Sequence, residues 1–375
     1  MEQVLYKLPD GWEWKRIEEV FTITSGKNLT KKDMADEGKF SVYGGNGIAG
    51  RYNDFNLSGS NIIIGRVGAL CGNVRLVNGD IWVTDNAFFI KEYKVDILKE
   101  YLAQVLSALN LGETANKAAQ PVISYKGIKD LVIPYPPLDE QKRIVEKLDA
   151  LLNRIDTAIE HLQSKLDLSK QLFDSVLDEF FKLSDCDSVP LTEVVDFIGG
   201  SQPPKSQFSD VQKEGYVRLI QIRDYKTDNH IVYVDSASTK KFCTREDVMI
   251  GRYGPPVFQI LRGLDGAYNV ALMKAVPNED VLTKDYLFWF LQSPSIQNYV
   301  IGISQRAAGQ SGVNKKALEK YLIPVPSKAI QNDIVEKVGQ LVNKSRNLEA
   351  KVSAEITSLN QLKASILDSA FKGEL

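Results

Sequence analysis

From Asp139 to Lys182 the chain runs for some six heptads without a glycine or a proline, and this stretch constrains everything around it. Ile144, Leu148, Leu151, Ile155, Ile159, Leu162, Leu166, Phe173, Val176 and Phe180 recur mostly at three- and four-residue steps, the spacing of a coiled-coil seam. A single helix of that length would reach about 65 Å, longer than a small domain is wide. Its apolar stripe needs a partner, and a shift of 190 residues supplies one. Without a gap, Pro134/Pro324, Pro136/Pro326, Gln141/Gln331, the run Ile144–Lys147/Ile334–Lys337, Leu172/Leu362 and Phe181/Phe371 coincide. The pattern predicts two long helices of one design, and the prolines before each prevent an earlier helix start.

The segments between the helices repeat more loosely. Ile17-Glu18-Glu19-Val20 corresponds to Leu191-Thr192-Glu193-Val194, each followed by a glycine-containing turn, and Ile64-Gly65-Arg66-Val67-Gly68 to Ile250-Gly251-Arg252-Tyr253-Gly254. Short β-branched runs bounded by Gly, Asn and Asp predict strands at Phe40–Tyr43, Asn61–Ile64, Val74–Val77 and Ile81–Thr84. In the second copy they predict strands at Tyr216–Ile222, Ile231–Val234, Asp247–Ile250 and Tyr268–Met273. One helical stretch follows in each copy, Ile97–Leu109 and Lys284–Tyr299, then a polar loop carrying glutamine (Gly112–Gln120; Gly302–Gln310). The expected organisation is a first β-rich domain at 1–135, a long helix at 136–184, a second β-rich domain at 185–326 and a second long helix at 327–375. The fold class is α+β in tandem pseudo-repeat, with the two helices paired as an antiparallel coiled coil.

Charge is nearly balanced, with a formal net charge of −2, so a chain that neutralises a nucleic-acid backbone unaided is not expected. Any such binding must be local or shared with a partner. The opening residues have neither signal-peptide nor transit-peptide character and no apolar run approaches membrane-spanning length, so no membrane partner is expected. Three cysteines without CxxC spacing (Cys71, Cys186, Cys243) suggest a reducing compartment, the cytoplasm, and no zinc site.

Catalytic signatures fail on context. Gly45-Asn46-Gly47-Ile48-Ala49-Gly50 matches GxGxxG, but Arg51-Tyr52-Asn53-Asp54 follows where a dinucleotide site needs a helix N-terminus. Pro9-Asp10 with Glu13-Trp14-Lys15 imitates a metal-nuclease pattern, but its residues are too close in sequence to sit on separate strands. Two histidines, His161 and His230, leave little for a triad or a metal centre. The chain reads as non-catalytic, with no metal site and no cofactor of its own.

What remains are polar and basic side chains on the loops of the two β-rich domains. Lys27, Asn28, Tyr43, Asn46, Arg51, Arg66, Asn73, Asn116, Lys117 and Gln120 are the candidates in the first. Ser201, Gln202, Lys205, Gln207, Gln221, Arg223, Arg252, Gln259, Arg262, Arg306 and Gln310 are those in the second. Arg, Asn and Gln make bidentate bonds to base edges, while Lys and Ser position a protein on phosphates, so the set points to double-stranded DNA. The competing expectation is a coiled-coil adaptor with two protein-binding heads and no DNA.

Over essentially its whole length the chain resembles the specificity subunits of type I restriction–modification systems. The residues that carry the resemblance are Leu8-Pro9-Asp10-Gly11-Trp12-Glu13-Trp14, Tyr43-Gly44-Gly45-Asn46-Gly47, Ile64-Gly65-Arg66-Val67-Gly68 and the join Ile133-Pro134-Tyr135-Pro136-Pro137-Leu138-Asp139-Glu140-Gln141. The second join departs from the pattern, with Lys328-Ala329-Ile330 where Leu-Asp-Glu stands in the first. The resemblance implies two target-recognition domains, each binding one half of a split, asymmetric DNA sequence, with the helices setting the distance between the halves. It also implies docking of two modification (methyltransferase) subunits, which hold S-adenosylmethionine, and the addition of restriction subunits in a full complex.

Overall fold

The structure, a computed structural model, describes residues 3, 5–116, 119–182, 186–304 and 312–375. The first long helix spans Leu138–Phe180 and the second Lys328–Lys372. The chain divides into two compact units, Met1–Leu162 with Ser353–Leu375, and Gln163–Val352. Each unit therefore holds one β-rich domain, the beginning of the helix that leaves it and the end of the other helix.

In the first unit the strands are β1 (Glu13–Arg16), β2 (Phe21–Ser25), β3 (Phe40–Gly44), β4 (Gly47–Tyr52), β5 (Ser60–Gly65), β6 (Val74–Asn78), β7 (Ile81–Val83), β8 (Ala87–Tyr93) and β9 (Val132–Tyr135). An antiparallel sheet in the order β2-β8-β5-β6 lies beside a smaller one, β4-β3-β7, whose β3–β7 pair is parallel. The entering strand β1 pairs antiparallel with the leaving strand β9, Glu13 opposite Tyr135. Helix α1 (Lys99–Ala108) packs on the larger sheet, burying Tyr101, Leu102, Val105 and Leu106 against Ile62, Ile64 and Ile90.

Ile144 and Leu148 of the first long helix share this core with Ala370 and Phe371 of the second. Further along, Lys363 Nζ meets Asp156 at 2.6 Å, while Arg143 Nη2 donates to the Leu375 carbonyl at 2.6 Å. Later residues of one helix meet earlier residues of the other, so within this unit the two run antiparallel.

The second unit repeats the plan. Its strands are β10 (Ser188–Pro190), β11 (Val195–Gly199), β12 (Tyr216–Ile220), β13 (Tyr233–Asp235), β14 (Phe242–Cys243), β15 (Val248–Gly251), β16 (Gln259–Leu261), β17 (Gly266–Tyr268), β18 (Leu272–Pro277) and β19 (Leu322–Pro324). The larger sheet has the order β11-β18-β15-β16 and the smaller β13-β12-β17-β14, with β12–β17 parallel; β10 closes on β19. Leu177 of the first long helix and Phe181, just past its end, join the core with Ile334 and Val338 of the second, again antiparallel.

The joins are built alike in both units. Gln141 is fully buried, its Nε2 donating to Pro136 O at 2.9 Å and its Oε1 accepting from Leu98 N at 2.9 Å. Gln331, also fully buried, donates to Pro326 O and Val281 O and accepts from Thr283 N. Tyr101 Oη donates to Pro134 O, and Tyr286 Oη to Pro324 O. An amide side chain suits this place because it both donates and accepts, satisfying backbone groups that burial would otherwise leave unpaired.

Several local expectations are corrected. Tyr268–Met273 is not one strand: Asn269 Oδ1 accepts from Ala271 N at 3.1 Å, a side-chain turn that separates β17 from β18. The strand predicted over Tyr216–Ile222 stops at Ile220, because Asp224 Oδ2 caps a short 3₁₀ turn at Gln221 N. The helix predicted over Lys284–Tyr299 is two, α2 (Lys284–Phe290) and α3 (Pro294–Ser304). Pro294 has no N–H to continue the first ladder and opens the second at its first position. Ile231–Val234 begins as a strand only at Tyr233. At the end of the first long helix Leu177 and Phe181 are buried, while Val176 and Phe180 of the predicted stripe are half-buried. There the buried side also faces α2, where Phe181 meets Tyr286 and Phe290 edge to face at 5.2 and 5.5 Å. The predicted domain limits at 184 and 185 lie outside the described residues.

Candidate nucleic-acid interface

The loops that carry the candidate side chains are gathered by matching hydrogen bonds in the two domains. After β2, the Gly26 and Lys27 amides donate to Ala87 O and Val83 O. After β11, Gly200 and Ser201 donate to Leu272 O and Tyr268 O. A Cβ on Gly26 would stand 2.0 Å from Val83 O, and one on Gly200 2.0 Å from Asn269 O, so both crossings require glycine. After β5, Arg66 N donates to Asn86 O, and its Nη1 donates to Asp85 O at 3.1 Å. After β15, Arg252 N donates to Ala271 O, and its Nη1 to Val270 O at 3.3 Å. Val67 then bridges to Val122, and Tyr253 to Gly312. Each domain thus brings three loops and the segment before its last strand to one place.

Many of the candidates are used internally there. Asn46 Oδ1 accepts from Leu70 N at 3.3 Å and Asn116 Oδ1 from Val122 N at 2.9 Å. Asn73 Oδ1 accepts from Arg75 Nη1, and Gln259 Nε2 donates to Pro256 O. Ser201 and Thr239 hydroxyls lie 2.6 Å apart, Gln221 opens the 3₁₀ turn, and Arg223 reaches His230 O at 3.4 Å. Arg66 stacks on Phe88 and Arg252 on Tyr253. Tyr43 packs half-buried on Val83, Ile81 and Ile63. These residues shape the loops. Lys27, Asn28 and Gln120 in the first domain, and Gln202, Lys205 and Gln207 in the second, are exposed with no side-chain partner among the described residues.

Two candidates lie elsewhere. Arg51 donates to Gly38 O and Lys39 O at the end of the β3–β4 hairpin opposite Asn46, closing a different loop. Arg262 pairs with Asp285 and stacks on Phe288 of α2, with Nε and Nη2 buried. Lys117, Arg306 and Gln310 lie outside the described residues. The GxGxxG run forms the β3–β4 turn and the first residues of β4, with no helix following. Among the described residues no group of His, Cys, Asp or Glu is disposed to hold a metal ion.

Sequence reasoning missed the apolar and basic residues beside these loops. Ile48 and Leu70 in the first domain are 65% and 53% exposed, and Val270 in the second is 44% exposed. Exposed aliphatic groups next to amide and guanidinium donors suit base edges, where a thymine methyl offers an apolar contact. In the second domain the Asp224 carboxyl, 3.8 Å from both Arg218 and Arg223, is nevertheless raised in pKa because burial outweighs its hydrogen bond and the two cations. Arg75 was hidden because nothing in Val74–Val77 distinguishes it from an ordinary strand residue.

Comparison with known proteins agrees with this architecture. The family model described as the type I restriction modification DNA specificity domain matches residues 9–167 and again 184–358. The type I restriction enzyme EcoBI specificity subunit of Escherichia coli is 27% identical over 351 residues, covering 80% of this chain and 71% of the relative. The StySPI specificity subunit of Salmonella potsdam is 21% identical over 435 residues, covering 98% and 90%. Among solved structures, a chain from work on complex assembly and conformational transition of the type I R-M system superposes with TM-score 0.76 at 23% identity, over 99% of this chain and 100% of that one. The HsdS subunit from Thermoanaerobacter tengcongensis gives 0.53 at 22% identity, over 99% of each; both share the fold. The adaptor expectation finds no support in these matches.

Proposed function

Because the chain belongs to the type I restriction–modification DNA specificity family, we propose that its two domains each read one half of a split DNA sequence for a modification complex. DNA sequence specificity is its role, and the chain itself carries out no chemistry. The observation that carries this reading is the doubled loop assembly. One hydrogen-bonded framework, anchored through Gly26 and Gly200 and through Arg66 and Arg252, is built twice and surrounded by different side chains. Two readers of one construction with different surfaces suit two unlike half-sites.

The long helices would dock two methyltransferase subunits, which would hold S-adenosylmethionine and supply much of the phosphate-neutralising charge that this chain lacks. Restriction subunits would add to that assembly. Leu172 and Leu362, equivalent under the 190-residue shift and each preceded by glutamine, are 64% and 49% exposed. A repeated exposed leucine suits two copies of one partner. The test is methylation mapping with the full chain and its modification subunits, together with native mass spectrometry of the complex. A bipartite methylated sequence and two bound modification subunits are expected. Binding without sequence preference would overturn the reading.

A further inference from the structure

One arginine of the first domain is held unlike the others. Arg75 lies on the edge strand β6, and its Cζ, Nη1 and Nη2 all stand 3.0 Å from where a Cβ on Gly47 would be. The guanidinium therefore lies flat over the Gly47 backbone, a position that only glycine leaves open; Gly47 also has a φ of 108°. Asn73 Oδ1 accepts from Nη1 at 2.8 Å and fixes the fork in its plane. Among the described residues no carboxylate pairs with the half-buried Arg75, and the Asn73 bond is its one side-chain hydrogen bond. Arg51, Arg66 and Arg252 donate to backbone carbonyls, and Arg262 is tied to Asp285. Arg75 differs from them in being set by a side-chain amide over a glycine, with Nε and Nη2 making no hydrogen bond to a described residue.

Its surroundings distinguish a base from a phosphate. Gly47, under the guanidinium, separates Asn46, which holds Leu70, from the exposed Ile48. Phosphates lie in a polar, hydrated rim, whereas apolar side chains beside a guanidinium fork match base edges. The second domain sharpens the point. Ile64 pairs with Val74 and Ile250 with Ile260, so Asn73 corresponds to Gln259 and Arg75 to Leu261. A phosphate anchor would be expected in both domains, because the DNA backbone is the same under each. A residue that differs at a matched place is where two unlike half-sites would be told apart.

We propose that Arg75, oriented by Asn73 and stacked on Gly47, reads a guanine through its O6 and N7 in the half-site bound by the first domain. This rests on the DNA-reading assignment above. Guanine offers the two adjacent acceptors that a guanidinium fork matches, and a fork already immobilised loses little freedom on binding.

The experiment uses the full chain with its modification subunits and a DNA library in which each position of the methylated site is randomised in turn. Arg75→Ala and Arg75→Lys should each lose preference at a single guanine by about 10–100-fold. The other half-site should be unchanged, and Asn73→Ala should weaken preference at the same position. Arg75→Lys keeps the charge, so its affinity should retain the wild-type dependence on salt while its selectivity falls. The lysine variant decides the matter if the alanine variant melts early. Unchanged preference at every position, or weakening uniform over all sequences, would overturn the assignment of Arg75. Absence of sequence preference in the wild type would instead remove the DNA-reading assignment beneath it.

Discussion

Phe371, near the end of the second long helix, meets Tyr101 of the first domain ring edge to face, with centroids 6.0 Å apart. Phe181, at the end of the first long helix, meets Tyr286 of the second domain in the same way at 5.2 Å. Each tyrosine also bonds the proline carbonyl ahead of the outgoing helix. One buried ring thus ties the helix that arrives to the strand that departs. Phe371 is 6% exposed and Phe181 7%. Phe371→Ala should cost about 3–5 kcal/mol in the first unit, and Phe181→Ala a similar amount in the second. Chemical denaturation followed by hydrogen exchange would assign each loss to its unit; equal loss of protection in both units from either change would contradict this.

The glutamine joints should be equally sensitive. Gln141→Ala leaves Leu98 N and Pro136 O buried without partners, and about 1–3 kcal/mol should be lost. Gln331→Ala should behave alike. Replacement by glutamate should rescue neither, since an ionised carboxylate cannot donate to the proline carbonyl. Denaturation midpoints of the four variants provide the comparison.

Two carboxyls should give the second domain pH dependences of opposite sign. Burial alone would raise the Asp247 pKa, but the Thr244 amide, Lys284 and Lys274 outweigh it and hold it below the usual carboxylate range. Its contribution to stability is complete above the unfolded-state pKa and is lost as pH falls through the folded value. Asp224 is raised by burial, against the Gln221 amide and the two arginines. Its contribution is complete below the unfolded-state pKa and is lost as pH rises through the folded one. Asp247→Asn should therefore lower stability near neutrality by about 1–3 kcal/mol and flatten the acid side of the profile. Asp224→Asn should be at least as stable as the parent near neutrality. Urea midpoints between about pH 3 and 7 would show both limbs.

Exchange of residues 15–135 for the corresponding segment of another family member should change one half of the recognised sequence only. Methylome sequencing in a host carrying the chimera would read out both halves, and a change in both would contradict the two-reader arrangement.

Lengthening both long helices by one heptad should change the unread gap between half-sites. Readers on one face of a duplex are set by its helical repeat of about 34–36 Å. An unaltered gap in the methylated sequence would show that the helices do not act as the ruler.

The long helices, the tandem plan and the proline–glutamine joints were legible because each depends on local pattern: heptad spacing, absence of helix breakers, and identical residues at a fixed shift. The strand β8, central to the first large sheet, was not, since the continuous apolar run Ala87–Ile90 after the Asp85-Asn86 turn shows no strand alternation. The split of Tyr268–Met273 depends on a single side-chain turn at Asn269, which leaves the apolar pattern intact. That the candidate loops correspond between the domains was legible, but which side chains brace them was not. Whether Arg66 braces a loop and Arg75 lies over a glycine depends on which carbonyl and which glycine stand beside them. Those neighbours come from strand pairings far apart in sequence, such as Val67 with Val122.

The pairing of β1 with β9, and of β10 with β19, has a bearing on heredity. Where entering and leaving strands are hydrogen-bonded neighbours, the chain passes into and out of the domain through a single doorway about 5 Å wide. Recombination that replaces everything beyond the doorway leaves the helices and their seam in place and must carry over the contacts that Leu98 and Tyr101, or Thr283 and Tyr286, make with them. A lineage built this way can acquire a new DNA address in one genetic event while its enzymes remain as they were.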